Sequence, residues 1–355
     1  MVASAGQAAF APWQQRAYER ARAALDSGRL GHALLLCGPQ RLGKRAVAEA
    51  LARYALCTEK RPGGEACGHC RSCRLFGARA QRDPVEVRPD GSLAHPDGHS
   101  SHPDLLLVGY EWKLRPSPAK QRTEIVIDQM RELSARLGLS SGSESGTRVA
   151  IVEPADAVNY HAWNAILKTL EEPQPGRYLW LVVSNPARLP ATIRSRCQRL
   201  DFPLPPRDEA RAWLQAQGHA QKAADEALEA ARGHPGLADA WLHDGGIALR
   251  REVAADLAKL GRGELGAIEA AQRWTSGGDA AMRLRHAADL VLAEAEAAGL
   301  TEPARIRKLA TWFDAANRTR ELLQTTVRAD LAVAELLLAW RGEDGGAITQ
   351  ARGRA

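Results

Sequence analysis

The chain has 355 residues, a formal net charge of +6 and 45% hydrophobic residues, so it holds material for two or three domains rather than one core. The charge permits contact with nucleic acid without demanding it, and no basic block is long enough to form a nucleic-acid tail. The start, Met1-Val2-Ala3-Ser4-Ala5, lacks the basic region of a secretory signal. No apolar run reaches membrane-spanning length, since 331–340 is too short and contains Glu335. Four of the six cysteines cluster, which points to a metal site in a reducing compartment rather than to disulfides. The expectation is a cytoplasmic protein with no membrane contact.

Residues 12–27 predict a helix that ends at Gly28. Ala33-Leu34-Leu35-Leu36-Cys37 predicts a buried strand. It is followed by Gly38-Pro39-Gln40-Arg41-Leu42-Gly43-Lys44-Arg45 and a helix over 46–55. Strand, glycine-rich loop and helix with the spacing Gly38…Gly43-Lys44 form a P-loop. There, backbone N–H groups and a helix N-terminus cradle phosphates and Lys44 adds a point charge. A P-loop that handles magnesium carries Ser or Thr after the lysine, but this one carries Arg45. The loop therefore reads as a degenerate nucleotide site, a retained fold element rather than a working ATPase centre. Cys57, Cys67, Cys70 and Cys73 follow. Four thiolates with no open position predict a structural zinc module over 57–73, against the alternative of free thiols or reducible pairs. His69 is not needed as a ligand, and Cys37 and Cys197 read as small buried apolar residues.

Residues 83–104 are rich in Pro, Gly, Asp and His and predict a surface loop. His95, His99 and His102 share no regular spacing there and read as loop histidines. His102-Pro103-Asp104 leads into a strand at 105–108, and 112–121 reads as a polar loop. A helix over 125–139 carries Ile127, Met130, Leu133 and Leu137 at helical spacing. A Ser/Gly turn at 140–147 precedes a strand at 148–152, which ends in Glu153-Pro154-Ala155-Asp156. The helical stretch 165–170 stops at Glu171-Glu172-Pro173. Residues 178–183 are a continuous apolar run, as expected for a strand buried on both faces in mid-sheet, and ligands bind at the carboxyl ends of such sheets. Asn185-Pro186, Leu189-Pro190 and Ser195-Arg196-Cys197 come next. On residues alone, Arg196 pairs with a local carboxylate or lies in solvent. Residues 201–206 form a proline-rich linker. Helices follow at 207–218, 220–232 and 237–243, the last after Gly233-His234-Pro235-Gly236. Further Ala- and Leu-rich helices span 248–260, 264–274, 279–298, 302–323 and 326–340. Leu284, Ala288, Val291, Leu292 and Ala295 form one stripe, and Arg305, Arg307 and Lys308 a solvated face.

Several of these strings, in order, resemble the clamp-loader family of AAA+ proteins. They are the P-loop, the four-cysteine module behind its helix, Leu167-Lys168-Thr169-Leu170-Glu171-Glu172-Pro173, Ser195-Arg196-Cys197 and the closing 325–340. The resemblance implies an α/β plus all-α fold. An AAA+ P-loop type parallel-sheet domain would span 1–203 with the zinc module inserted, a small helical lid 204–246, and a helical collar for oligomerisation 247–355. It implies that Arg196 is an arginine finger given in trans to ATP on a neighbouring tau/gamma subunit, a role suited to a permanent, planar cation. Counting back from Asn164-Ala165-Ile166-Leu167-Lys168, Glu153 stands where active members hold magnesium through an Asp, and Pro154 where they orient water with a Glu. His234-Pro235-Gly236 stands where they open a helix with a sensor-2 arginine. Asp156 is out of register as a substitute base. The resemblance thus implies a non-catalytic subunit of a DNA polymerase holoenzyme, without ATPase turnover of its own. Its partners would be tau/gamma and delta clamp-loader subunits, primer–template DNA and the sliding clamp, in a nucleoid-associated replisome. Two alternatives stay open: an active clamp-loader ATPase, which Lys44 supports, and a zinc-containing DNA-binding protein with a vestigial AAA+ fold.

Overall fold

Five parallel strands organise the first of two compact units, Met1–Glu209 and Ala210–Ala355, in a computed structural model that describes residues 10–81, 85–96, 98–113, 120–298, 302–323 and 325–341. The strands are β1 (Ala33–Cys37), β2 (Leu105–Val108), β3 (Arg148–Val152), β4 (Arg177–Val183) and β5 (Gln198–Asp201), in the spatial order β2-β3-β4-β1-β5. β4 lies between β3 and β1, and its last five residues are all buried, as its unbroken apolar run predicts. The register sets Cys37 opposite both Val183 and Asp201. The segments after β1, β3 and β4 therefore leave the sheet at one carboxyl edge. β5 differs from the expectation, which began a linker at residue 201. Only Leu200 of its four residues is buried, so this edge strand leaves no apolar run to read.

Helices cover both faces of the sheet. They are α1 (Pro12–Asp26), α2 (Lys44–Leu56), α4 (Ile127–Gly138), α5 (Leu167–Glu171) and α6 (Ala191–Arg194), while α3 (Arg71–Gly77) packs on α2. Met130, Leu133 and Leu137 of α4 pack with Ala33, Leu35 and Cys37 of β1. Leu34 and Leu36 alternate to the opposite face, on which α2 buries Val47 and Leu51. Each such fully buried aliphatic side chain contributes about 1.5–3 kcal/mol. The helix expected at 165–170 is a 3-10 segment, Tyr160–Ile166, that passes into the short α5.

The second unit is helical: α7 (Arg207–Ala216, entering from the first unit), α8 (Gln221–Ala230), α9 (Pro235–His243), α10 (Gly246–Gly261), α11 (Ala267–Ser276), α12 (Ala280–Ala298), α13 (Pro303–Leu322) and α14 (Ala329–Arg341). Ala210, Leu214, Ala224, Leu228 and Trp241 form one core. A second core holds Trp274, Trp312 and Trp340 with the predicted Leu284, Ala288 and Val291. The three indoles each find an acceptor, namely Asp256 Oδ2 at 2.9 Å, Leu336 O at 3.0 Å and Leu257 O at 3.0 Å. Arg305 is not purely solvated, because it pairs with Glu294 at 2.6 Å, whereas Arg307 and Lys308 are exposed. Among the described residues no helix is long and apolar enough to cross a membrane. The last part of the expected 247–355 domain, 342–355, lies outside the described residues, as do 114–119 of the expected polar loop and 83, 84 and 97 of the histidine-rich loop.

One buried ion pair ties the amino-terminal side of the sheet together. Asp104, fully buried, accepts from Arg148 Nη2 at 2.7 Å and Nε at 2.9 Å, from Ser141 Oγ at 3.0 Å and from the Gly142 N–H at 3.2 Å. Arg148 also donates to the carbonyls of Arg136 and Ser140, so the end of α4 and the 140–147 turn hang on the same pair. Burial pushes the Asp104 carboxyl up, but Arg148 and the surrounding donors outweigh it and hold the pKa at about 2. The folded value lies below the ordinary 3.8, so this stabilisation is complete above that range and is lost as pH falls through about 2. Asp104→Ala leaves a buried guanidinium unpaired and is expected to destabilise the first unit by about 3–5 kcal/mol in calorimetric unfolding at neutral pH. A loss under about 1 kcal/mol contradicts the assignment.

Candidate functional site

The loop after β1 is built for close approach. Gly38 has φ 152°, and a Cβ there would stand 2.3 Å from the Phe202 carbonyl oxygen. Its N–H donates to Val183 O at 3.3 Å, while Cys37 O accepts from the Phe202 N–H at 2.7 Å. Gly43, at φ 80°, opens α2 in a left-handed conformation. From outside, Trp13 Nε1 and Gln14 Nε2 of α1 both donate to Leu42 O at 3.1 Å. The structure thus brings Gly38, Gly43 and Lys44 together as the spacing predicts. Lys44 is buried, and its Nζ donates to Gly38 O at 2.7 Å and Pro39 O at 2.6 Å. Burial lowers its pKa, with Glu153 and Asp156 acting in the opposite sense. An anion entering the loop has to draw the ammonium away from these two carbonyls.

The neighbouring charges do not suit magnesium. Arg45 stands where the motif has a hydroxyl. Its Nε meets Glu49 Oε1 at 2.8 Å, and its Nη1 meets Glu153 Oε2 at 3.3 Å. Glu153 directly follows β3, and its carboxyl is pushed up by burial against the opposing pull of Arg45 and Lys44. Asp156 Oδ2 accepts from the Asn185 N–H at 3.1 Å, and its Oδ1 is buried with no hydrogen-bond partner. The carboxylate that the resemblance puts at the magnesium position is therefore answered by a guanidinium, and position 154 offers no acid. The residues present do not fit a magnesium-nucleotide centre. Each departure is legible alone in the sequence; that Arg45 and Glu153 pair with each other is not.

Arg196 lies just past α6. Its Nη2 meets Glu171 Oε1 at 2.7 Å, its Nη1 donates to Thr192 O at 2.8 Å, and about a third of the side chain (35%) faces solvent. In the single chain the arginine thus has a local carboxylate partner, and that partner belongs to the Leu167–Pro173 string. An exposed pair of this kind is worth about 0–1 kcal/mol, little enough to be exchanged for a phosphate. His234, at the turn where the resemblance expects an arginine, caps α9 by accepting from the Leu237 N–H at 3.2 Å.

Cys57, Cys67, Cys70 and Cys73 are all buried, and their sulfurs lie within 4.8 Å of one another. The Cys57–Cys70 and Cys67–Cys73 sulfurs are 3.9 and 4.0 Å apart. A tetrahedron with metal–sulfur bonds of 2.3 Å has edges of about 3.8 Å, so the donor set fits a closed four-thiolate metal site. Backbone N–H groups of Cys67, Cys70 and Cys73 donate to the sulfurs of Cys57, Cys67 and Cys70 at 3.2–3.4 Å, which favours the thiolate form. Sequence reasoning missed what holds this module. His102 is buried, not a loop histidine: its Nε2 meets Ser72 Oγ of α3 at 2.7 Å, Ser72 Oγ donates to Leu56 O at 2.7 Å, and its Nδ1 accepts from the Asp104 N–H at 3.1 Å. One tautomer, with the proton on Nε2, satisfies both ring contacts. The other two histidines do meet. A short ladder between Arg79–Ala80 and His99–Ser100 folds the loop, the tilted rings of His95 and His99 meet at 4.5 Å between centroids, and His95 pairs with Glu86 at 3.1 Å.

A family model described as DNA polymerase III, delta subunit, matches residues 13–206. The DNA polymerase III subunit delta' of Pseudomonas aeruginosa is 31% identical over 268 residues, which is 75% of this chain and 71% of that protein. The delta' subunit of Escherichia coli K12 is 31% identical over 228 residues, 64% of this chain and 59% of that protein. The gamma/tau subunit of Mycobacterium tuberculosis H37Rv is also 31% identical, but over 191 residues, 54% of this chain and 28% of that protein.

The backbone of the loop is testable without any ligand. Gly38→Ala places a Cβ 2.3 Å from a backbone oxygen and forces a left-handed φ on an L side chain. It is expected to cost about 1–3 kcal/mol, read as a lower melting temperature of the first unit. An unchanged melting temperature contradicts the close approach.

Proposed function

The chain belongs to the DNA polymerase III delta-subunit family, with delta' subunits among its relatives, and from that premise we propose that it works as a delta' clamp-loader subunit that helps load the sliding clamp onto primed DNA without hydrolysing ATP itself. The observation that carries this reading is the Arg45–Glu153 pair beside Pro154. It places a fixed positive charge where magnesium would be held and removes the acid that would orient water. Positioning and charge stabilisation are most of what a protein contributes to phosphoryl transfer, so these changes leave Gly38, Gly43 and Lys44 as a cradle without turnover. The same pair speaks against the reading of the chain as an active tau/gamma-like ATPase.

In this reading the chain acts on its neighbour's nucleotide. Arg196 leaves Glu171 and reaches the ATP of an adjacent tau/gamma subunit as an arginine finger. The region 1–203 supplies that arginine, 204–246 serves as a lid, and 247–355 as the collar that packs the ring. Zinc fills the four-cysteine site, where it adds folding energy and no chemistry. Delta, primer–template DNA and the clamp are the other partners, in a cytoplasmic, nucleoid-associated replisome.

Arg196→Ala is expected to lower ATP hydrolysis by a reconstituted tau/gamma–delta–delta' complex by about 10³–10⁵-fold while the ring still assembles. Unchanged hydrolysis removes the finger assignment. Cys67→Ser is expected to lower the zinc content of the purified chain by one equivalent, measured by elemental analysis, and to lower its melting temperature. Retention of zinc at wild-type stoichiometry contradicts the four-thiolate site.

A further inference from the structure

The second unit carries a cluster of metal-binding groups that the clamp-loader reading does not use. His219 lies in the turn between α7 and α8, with its N–H held by Leu214 O at 3.2 Å. Asp239 and His243 stand one turn apart on α9, on the same face. His219 Nε2 lies 2.8 Å from Asp239 Oδ1, and His243 Nδ1 lies 3.5 Å from that same oxygen and 3.0 Å from the Asp239 carbonyl oxygen. The two rings meet edge to face at 4.8 Å between centroids. The three donor atoms lie within 4.8 Å of one another.

Two imidazole nitrogens from separate elements thus converge on one carboxylate oxygen. We propose that His219, Asp239 and His243 bind a divalent transition-metal ion of the zinc type, which takes the place of the ring protons and pins the α7–α8 turn to α9. Metal bonds of 2.0–2.2 Å at angles between octahedral and tetrahedral require N···O separations of about 2.8–3.6 Å, and the observed 2.8 and 3.5 Å fall at the two ends of that range. Two imidazoles and one carboxylate suit zinc, nickel, cobalt or copper and disfavour magnesium and calcium. The burial of the three groups is graded. His219 is 14% exposed and anchored, Asp239 is intermediate, and His243 is 61% exposed, which leaves an entry path and open positions for water. Asp239 and His243 already sit on a rigid helix, so binding has to order only the turn. The site is independent of the four cysteines and of any role of Arg196.

The test uses the untagged full-length chain with its cysteine site loaded, equilibrated with buffered zinc in excess and washed free of unbound metal. The wild type is expected to retain one more zinc equivalent than His243→Ala and than Asp239→Asn, and Cys67→Ser is expected to keep that extra equivalent. Cobalt in the same position is expected to show d–d absorption without thiolate-to-metal charge transfer. Added zinc is expected to raise the melting temperature of the wild type but not of His243→Ala, whose exposed side chain makes a folding defect an unsuitable explanation. Equal zinc content in wild type and both variants overturns the site, as does an extra equivalent lost only with Cys67→Ser.

Discussion

The parallel pairing of β1 with β4, which sets Cys37 opposite Val183, is the constraint on which the rest of the first unit depends. β1 is buried along its whole length and β4 over its last five residues, and together with the β3–β4 pairing this register brings the loop after β1, the Glu153–Asp156 turn after β3 and the Asn185 turn after β4 to one edge. The bond from the Gly38 N–H to Val183 O and the bond from the Phe202 N–H to Cys37 O extend this register into the loop itself. Gly38 has no alternative residue there, because Phe202 occupies the space a side chain would need. The P-loop geometry therefore persists as a consequence of sheet packing, whether or not nucleotide is turned over.

Charge decides what that retained geometry can do. Lys44 and Arg45 stand on one side, and Glu153 and Asp156 on the other. Lys44 is engaged with loop carbonyls, and Arg45 with Glu49 and Glu153. A divalent cation entering this edge meets two positive groups and no free acid in register. The exposed guanidinium of Arg196 is held by a weak pair with Glu171 and a hydrogen bond to the Thr192 carbonyl. One chain thus combines an internally neutralised loop edge with a surface arginine that has a carboxylate of its own chain as its ion-pair partner.

The sequence announced elements whose burial is strong and local. β4 was legible because a strand covered on both faces leaves no polar alternation, and the four cysteines because thiolate spacing has few other uses. The weak edge strand β5, with Leu200 as its sole buried residue, and the 3-10 stretch Tyr160–Ile166 were not legible, since neither leaves a period to find. Pairings between distant residues were also hidden. Asp104 and Arg148 are 44 positions apart, and nothing in either local string names the other. His102 looked like one of three loop histidines, yet its two ring nitrogens join the cysteine module to the start of β2. His219 shows the same limit: the i, i+4 spacing of Asp239 and His243 is visible, but the turn that brings a third donor to them is not.

The central claim is that this chain folds as a nucleotide-handling subunit but does not spend nucleotide. The most direct measurement is steady-state ATP hydrolysis, with ATP binding in parallel, by the purified chain alone in the presence of magnesium and primed DNA. The account predicts no turnover above that of a Lys44→Ala control, whether or not the loop retains nucleotide. Steady turnover abolished by Lys44→Ala would contradict it, and would make the chain a motor despite Arg45 and Pro154.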